Sequence, residues 1–343
     1  MDMLEGSGGN GSKFARAAGL LLHVTSLPPR IRGTHASDGL PGTDGAWSVG
    51  DVGSGDMGPS AYEFLRFLKS SRQRWWQTLP VGPVGYGYSP YQSPSSFAGN
   101  PLLISPALLV RDGLLKQEDL DYASSMVGEA ELNRVDFYYA TGRRYELLRL
   151  AFRRLQTLRP DWVSRWEEFR HRNRDWLDEH CLFTACKSAH GERAWHEWDP
   201  ALQRRDAHAL QEWRERLRGA CEFESFIQFV FDQQWRELRE YASSLGIGII
   251  GDIPIFVSMD SSDVWSQQHL FELDAQGRPI VVAGVPPDYF SITGQRWGNP
   301  LYRWDEHQRQ GYAWWIKRFQ RTLEFCDLIR IDHFRGFESY YAI

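Results

Sequence analysis

The chain has 343 residues, 24% of them charged and 42% hydrophobic, with a formal net charge of -5. That length allows one large domain with insertions, or two domains, and supports a substantial core, which excludes a disordered protein. The mild acidity and the lack of a basic block argue against nucleic acid or an anionic membrane surface as partner, and no apolar run reaches the length of a membrane-spanning helix.

Aromatic residues are abundant: 15 Trp, 14 Tyr and 19 Phe. Core packing accounts for most of them, while Trp and Tyr in glycine-rich loops also suit the apolar faces of sugar rings. Cys181, Cys186, Cys221 and Cys326 form neither a CxxC pair nor a disulfide-like framework. They read as reduced thiols of a cytoplasmic protein, with no metal site expected.

Residues 1–18 read as a flexible tail, because the Gly- and Ser-rich start has neither an apolar signal core nor an Arg-rich amphipathic helix. The apolar run Gly19 to Val24 predicts a parallel strand buried on both faces, ended by Thr25-Ser26-Leu27-Pro28-Pro29. From Ile31 to Gly58 the Gly, Asp, Ser and Pro content predicts a long surface loop. A helix follows, with Ala61, Phe64, Leu65 and Leu68 on one stripe and Ser60 with Glu63 as a capping box. Trp75 to Pro80 predicts a second buried strand. It opens into Gly85-Tyr86-Gly87-Tyr88-Ser89-Pro90-Tyr91-Gln92-Ser93-Pro94, where turn formers fix three tyrosines at a strand's carboxyl end. Ligand contact is the reading we favour for this loop over tyrosines that merely cover a rim.

Residues 19–105 thus begin an α/β unit, 106–246 read as a mainly helical inserted subdomain, and 247–343 resume the first unit. Within the helical region, Phe223, Phe226, Ile227, Val230, Trp235 and Leu238 form a core stripe, with Gln233, Gln234 and Arg236 off it. Trp195-His196-Glu197-Trp198 reads as a packed helix end rather than a site.

Ile247 to Val257 is a third apolar strand interrupted by Asp252. A lone carboxylate there is costly unless something meets it, either Arg330 or a substrate hydroxyl, and Pro254 marks the end of the ladder. The stretch from Gly284 to Pro300 sets Tyr289, Phe290 and Trp297 beside Asp288 and Gln295, a candidate sugar-binding rim or a loop packed over the core. A last helix, carrying Trp315, Ile316, Phe319 and Leu323, leads to the strand Asp327 to Asp332. Its period of two puts Arg330 and Asp332 on one face, predicted to be a buried layer. Such a pair suits a nucleophilic carboxylate, or equally a structural ion pair.

Taken in order, Leu20-Leu21-Leu22-His23 with Thr25-Ser26-Leu27-Pro28, Ser89-Pro90-Tyr91-Gln92-Ser93, Gly251 to Val257, the Gly284–Pro300 stretch, and Arg330-Ile331-Asp332-His333-Phe334-Arg335-Gly336 resemble the 4-α-glucanotransferases called amylomaltase or disproportionating enzyme. The resemblance implies an α/β fold, an interrupted (β/α)8 TIM barrel with an inserted helical subdomain. It also implies transfer of α-1,4-glucan segments between malto-oligosaccharides, without a cofactor. On that resemblance, Asp332 is the nucleophile and Arg330 its charge partner. Ser89, Tyr91, Asp252 and His333 contact the sugar, and Asp288, Tyr289, Phe290, Gln295 and Trp297 shape the acceptor side. The family's acid/base glutamate and third aspartate are expected after Ile343, and Glu338 is not a substitute. The chain therefore reads as an amino-terminal portion ending after about the fourth barrel strand, inactive alone. Alternatives are a non-catalytic α-glucan-binding fragment or an α-glucan hydrolase. Tyr88, where the family usually has an aspartate, and the long Pro29–Gly58 loop depart from the pattern.

Overall fold

The computed structural model describes residues 16–28, 52–128, 134–287, 289 and 291–343. Most of the expected tail and of the loop after Pro28 lies outside the described residues. Four parallel strands, β1 (Gly19–Leu21), β2 (Trp75–Gln77), β3 (Gly248–Pro254) and, later in the chain, the strand Leu328–Asp332, form a sheet in that spatial order. Helices connect them: α1 (Pro59–Ser70) lies between β1 and β2, and a helical succession lies between β2 and β3. That succession comprises α2 (Pro106–Arg111), α3 (Gln117–Ser125), α4 (Phe137–Leu158), α5 (Pro160–Ala189), α6 (Pro200–Gln203), α7 (Ala207–Arg216) and α8 (Arg218–Ser244). After β3 come α9 (Ser262–Ser266), β4 (Val282–Val285), β5 (Gln295–Pro300), α10 (Trp304–Arg309), α11 (Ala313–Phe325), β6 (Leu328–Asp332) and β7 (Tyr341–Ala342). The antiparallel sheet β5-β4-β7 stands apart from the parallel one. The Gly284–Pro300 stretch, read from sequence as a loop, is therefore largely a β-hairpin with a register shift between Val282 and Gly284.

Several expectations need correction. β1 is not buried on both faces: Leu20 and Leu21 are exposed, because β1 is the outer strand of the sheet and pairs with β2 alone among the described residues. Residues 52–58 are not surface loop. Gly55 donates to the Thr25 carbonyl at 3.1 Å and Met57 to that of Leu103 at 2.9 Å, and a Cβ on Gly55 would meet the Val24 carbonyl at 2.4 Å. Only glycine allows that backbone approach. The fully buried Arg144 seals this stretch through Asp56 at 2.8 Å and through the Ile104 carbonyl. α1 starts at Pro59 with Gly58 as its cap, without the Ser60–Glu63 box, since proline's fixed φ already suits the first helical position.

The stripe predicted on α8 is core, as expected. Gln233 and Gln234 are buried as well. Gln228 and Gln234 act as backbone surrogates: Gln228 accepts from Gly99 N–H at 2.7 Å and donates to Gly99 C=O at 3.0 Å, and Gln234 does the same with Ser105 at 2.7 and 3.0 Å. Both amides are thereby satisfied, which a polarity pattern does not reveal.

One hydrophobic cluster joins α1, α2, α4, α5 and α8 to Trp76 and Ile249 of the sheet. A second, aromatic cluster gathers Trp195, Trp198, Trp265, Phe271, Tyr302, Trp314 and Trp315 around Ile255–Val257, just beyond β3. Trp195 and Trp198 are thus buried packing residues, as read from sequence. The buried face of α11 differs from its expected stripe: Ile316 and Leu323 are exposed, whereas Arg318 and Arg321 are buried. Arg318 donates to Pro254 O at 2.6 Å and to Ile255 O at 3.2 Å, and stacks over Trp314 and Trp315. Arg321 bonds Phe97 O and Asp232, each at 3.1 Å. Carbonyl and carboxylate partners make burial of both guanidiniums tolerable.

Candidate active site

The carboxyl ends of the parallel strands carry the polar residues. His23 follows β1, Thr78 follows β2, Asp252 lies near the end of β3 and Asp332 ends β6. Asp252 is the register partner of Arg330, and Pro254 that of Asp332. Parallel neighbours in register turn their side chains to the same face, so the ladder itself brings Asp252 and Arg330 side by side.

Arg330 Nη1 donates to Asp252 Oδ2 at 2.6 Å, and Nη2 to Asp332 Oδ1 at 2.6 Å. The Tyr91 hydroxyl donates to the same Asp252 Oδ2 at 2.7 Å. Asp252 Oδ1 is buried without a hydrogen-bond partner among the described residues. The expected buried layer is only half present: the Asp252 side chain is fully buried, but those of Arg330 and Asp332 are 46% and 41% exposed. β6 is an end strand of the sheet, with β3 on one side, so water reaches it from the other.

Burial raises the Asp252 carboxyl above the usual carboxylate range, with the Tyr91 hydrogen bond and the Arg330 charge only partly opposing it. Burial disfavours charge on Arg330, but Asp252, Tyr91 and Asp332 outweigh it and raise its pKa. Burial, and then the hydrogen bond to Asp252, push the Tyr91 phenol up to about 12.

His333, directly after Asp332, adopts a left-handed backbone at φ 54, which is costly for a residue with a Cβ. That turn sets its ring edge-on to Trp297, with centroids 5.1 Å apart, and Trp297 Nε1 donates to Gln295 Oε1 at 3.1 Å. The β4–β5 hairpin thus brings Trp297, with Gln295 hydrogen-bonded to it, against the residue beside Asp332. Tyr289 projects from the hairpin fully exposed, and Asp288 and Phe290 lie outside the described residues. Ser89 Oγ accepts from Tyr91 N–H at 3.3 Å and shapes the loop. Of the three tyrosines in that loop, Tyr91 joins the carboxylate cluster. Tyr86 is exposed, and Tyr88 stacks on Phe137 at 5.3 Å.

Three residues of this region had no role in the sequence reading. His23 Nδ1 lies 3.4 Å from Thr78 Oγ1, and burial lowers its pKa to about 4. His23 was visible as a polar end to an apolar run, though Thr78 carried no signal. Arg318 grips the carbonyls just past Asp252 and lines, with Tyr91, Ser95 and Asp252, a cavity of about 60 Å³. Its position on α11 looks solvent-facing in any hydropathy pattern.

The 4-alpha-glucanotransferase family, glycoside hydrolase family 77, matches residues 47–343. The chain belongs to this family. It is 45% identical to a 4-alpha-glucanotransferase of Thermus thermophilus over 96% of the chain and 61% of that protein, and 41% identical to one from Synechocystis over 96% and 60%. The amylomaltase of Streptococcus agalactiae, solved in complex with acarbose, superposes with a TM-score of 0.85 at 37% identity, covering 96% of this chain and 61% of that one. The fold is therefore α/β and like the TIM barrel of the amylomaltases. The amylomaltase of Corynebacterium glutamicum, at 16% identity and a TM-score of 0.70, shares that fold. The chain spans about three fifths of the length of these first relatives. No described helix is long and apolar enough to cross a membrane.

Proposed function

We propose that the chain carries the donor-binding and nucleophile part of a 4-α-glucanotransferase site, acting on α-1,4-glucans. The observation that carries this reading is the Asp252–Arg330–Asp332 array, whose one buried acceptor without a partner among the described residues, Asp252 Oδ1, belongs to a residue that lines a cavity with Tyr91. A buried carboxylate oxygen left unpaired costs roughly 1–3 kcal/mol, which a sugar hydroxyl would relieve. Acarbose in the Streptococcus agalactiae structure supports an α-glucan-like ligand here.

In this reading Asp332 attacks the anomeric carbon, the bond to the leaving glucan breaks, and a covalent glucosyl ester forms; an acceptor hydroxyl then displaces Asp332 with retention. Arg330 orients the attacking carboxylate through Nη2 and anchors itself on Asp252 through Nη1. Asp252 and His333 hydrogen-bond the sugar held at Asp332, and Tyr91 stacks on it. Gln295 and Trp297, with Asp288, Tyr289 and Phe290, form the acceptor side and hold a sugar hydroxyl where water would otherwise attack. Double displacement also needs a proton donor within about 5–5.5 Å of the nucleophile. Asp252, the other carboxyl in the array, is already committed to Arg330 and Tyr91, so we assign it to binding. The parallel sheet is read as an arc of an interrupted (β/α)8 barrel, with 106–246 as its helical insertion.

The test is to incubate the purified chain with maltotriose and resolve products by length, with binding measured in parallel by calorimetry. Binding without redistribution is the expected result. Glucose together with longer malto-oligosaccharides would show that a residue of this chain supplies the proton, and no binding by folded protein would overturn the site.

A further inference from the structure

A second cavity, of about 370 Å³, opens between α4, α5 and the start of α8, and shares no lining residue with the cavity at Asp252. Its size falls within the ~300–1,000 Å³ of small-ligand sites. Three features of its wall are unusual together. Glu224 is only 8% exposed, lines the cavity, and makes no side-chain hydrogen bond or ion pair among the described residues. Arg149 and Arg153 also line it; Arg149 lies over the Phe223 ring at 5.0 Å instead of pairing with Glu224, and Arg153 has no ion pair among the described residues. The first turn of α8, where helix geometry leaves amides without an intrahelical acceptor, contributes Gly219 and Ala220; α8 has no side-chain cap, and a Cβ on Gly219 would meet nothing within 4 Å.

The charges decide the class of ligand. Among the lining residues, two guanidiniums and the positive end of a 27-residue helix outweigh one carboxylate, which leaves a surplus on this wall that an anionic group would neutralise. Glu224, on the same wall, offers a carboxylate that can accept from a ligand, and the Thr184 and Ser188 residues of α5 add hydroxyls beside the apolar faces of Phe152 and Phe223. An anion joined to a body rich in hydroxyl groups satisfies both demands. We propose that this cavity binds a hexose monophosphate, its phosphate on Arg149, Arg153 and the α8 amides and its sugar hydroxyls donating to Glu224.

Free, Glu224 is raised by burial to about 7, with Arg149 lowering and Glu192 raising it; Tyr145, Cys181 and Cys221 are the other titratable groups around it. A ligand that donates to Glu224 favours its ionised form, so binding should tighten as pH rises from 6 to 8.

The experiment is calorimetric titration of the intact chain with glucose 1-phosphate, inorganic phosphate and glucose. Glucose 1-phosphate is expected to bind best, to release protons near pH 7, and to weaken at least tenfold both in Arg149→Ala/Arg153→Ala and in Glu224→Gln, while maltotriose binding stays unchanged. Both arginines are solvent-exposed and Glu224→Gln keeps shape, so folding, checked by circular dichroism, should survive. Equal affinity for inorganic phosphate, with no effect of Glu224→Gln, would overturn the sugar part. No binding at millimolar concentration by folded protein, or competition by maltotriose, would overturn the site.

Discussion

Arg330 holds the buried Asp252 carboxylate at 2.6 Å with one nitrogen and the half-exposed Asp332 at 2.6 Å with the other. The three charges are not equivalent. The Asp252 side chain is fully buried, whereas Asp332 can be solvated, so the pairing with Asp252 bears on the fold and the pairing with Asp332 is the one the proposed chemistry would use.

Arg330→Met should accordingly destabilise the protein by about 2–4 kcal/mol, because it leaves Asp252 buried with Tyr91 as sole partner. The loss should grow with pH: a carboxyl raised above its unfolded value keeps its proton longer in the native state, so stability falls as pH rises above the ordinary carboxylate range. Urea unfolding at pH 5 and 8 checks this, and the Arg330→Met/Asp252→Asn protein should recover part of the loss. A variant as stable as the parent at pH 8 would refute the argument.

Asp332→Ala should change stability by less than about 1 kcal/mol, since Arg330 keeps its bond to Asp252 and a half-exposed ion pair is worth little. Maltotriose affinity should fall less than tenfold. A large thermal shift would mean that Asp332 is structural, which is the competing reading of the pair.

Gln234→Leu should cost about 2–3 kcal/mol, because the Ser105 N–H and C=O both lose their partner in a buried setting. Gln228→Leu should match it through Gly99. Denaturant midpoints measure both, and an effect of a few tenths of a kcal/mol would show that other groups can replace the amide.

Glu224 and His180 should pull stability in opposite directions between pH 4.5 and 6.5. Burial raises Glu224 from 4.5 to about 7, so the native state binds more protons there and stability falls as pH rises through that window, by up to about 3 kcal/mol. Burial lowers His180 from 6.5 to about 4, so its stability contribution is complete above 6.5 and is lost as pH falls toward 4. Glu224→Gln should therefore unmask a steeper acid loss and His180→Phe a steeper alkaline one. Parallel stability-against-pH curves for all three proteins would contradict this.

What could be read beforehand followed periodicity and cost. Asp252 interrupting an apolar strand demanded a partner, and Arg330 two residues before Asp332 offered one; the register then supplied the pairing. Tyr91, Trp297 and Gln295 were found as polar and aromatic residues in stretches rich in turn formers. Buried polar groups were missed where tertiary partners satisfy them. Arg318, Arg321, Gln228 and Gln234 look solvent-facing by hydropathy, and their partners include backbone groups up to 224 residues away in the chain. The mis-set cap on α1 has a local cause, since Pro59 begins the helix earlier than the Ser60–Glu63 pattern suggested. Exposure of β1 depends on its place at the sheet's end, which strand composition does not record.

The paired amides of Gln228 and Gln234 have a consequence for how this chain can vary. Six positions separate them on α8, and six separate Gly99 from Ser105, with both pairs 129 residues apart. At Gly99 the Phe231 ring lies where a side chain would begin, 2.1 Å from an added Cβ. Helix and segment are thus keyed like two edges of a ruler. A single residue gained or lost between 100 and 104 would leave one clamp closed and force the other open, so among relatives this interval should keep constant length even where every residue in it has changed.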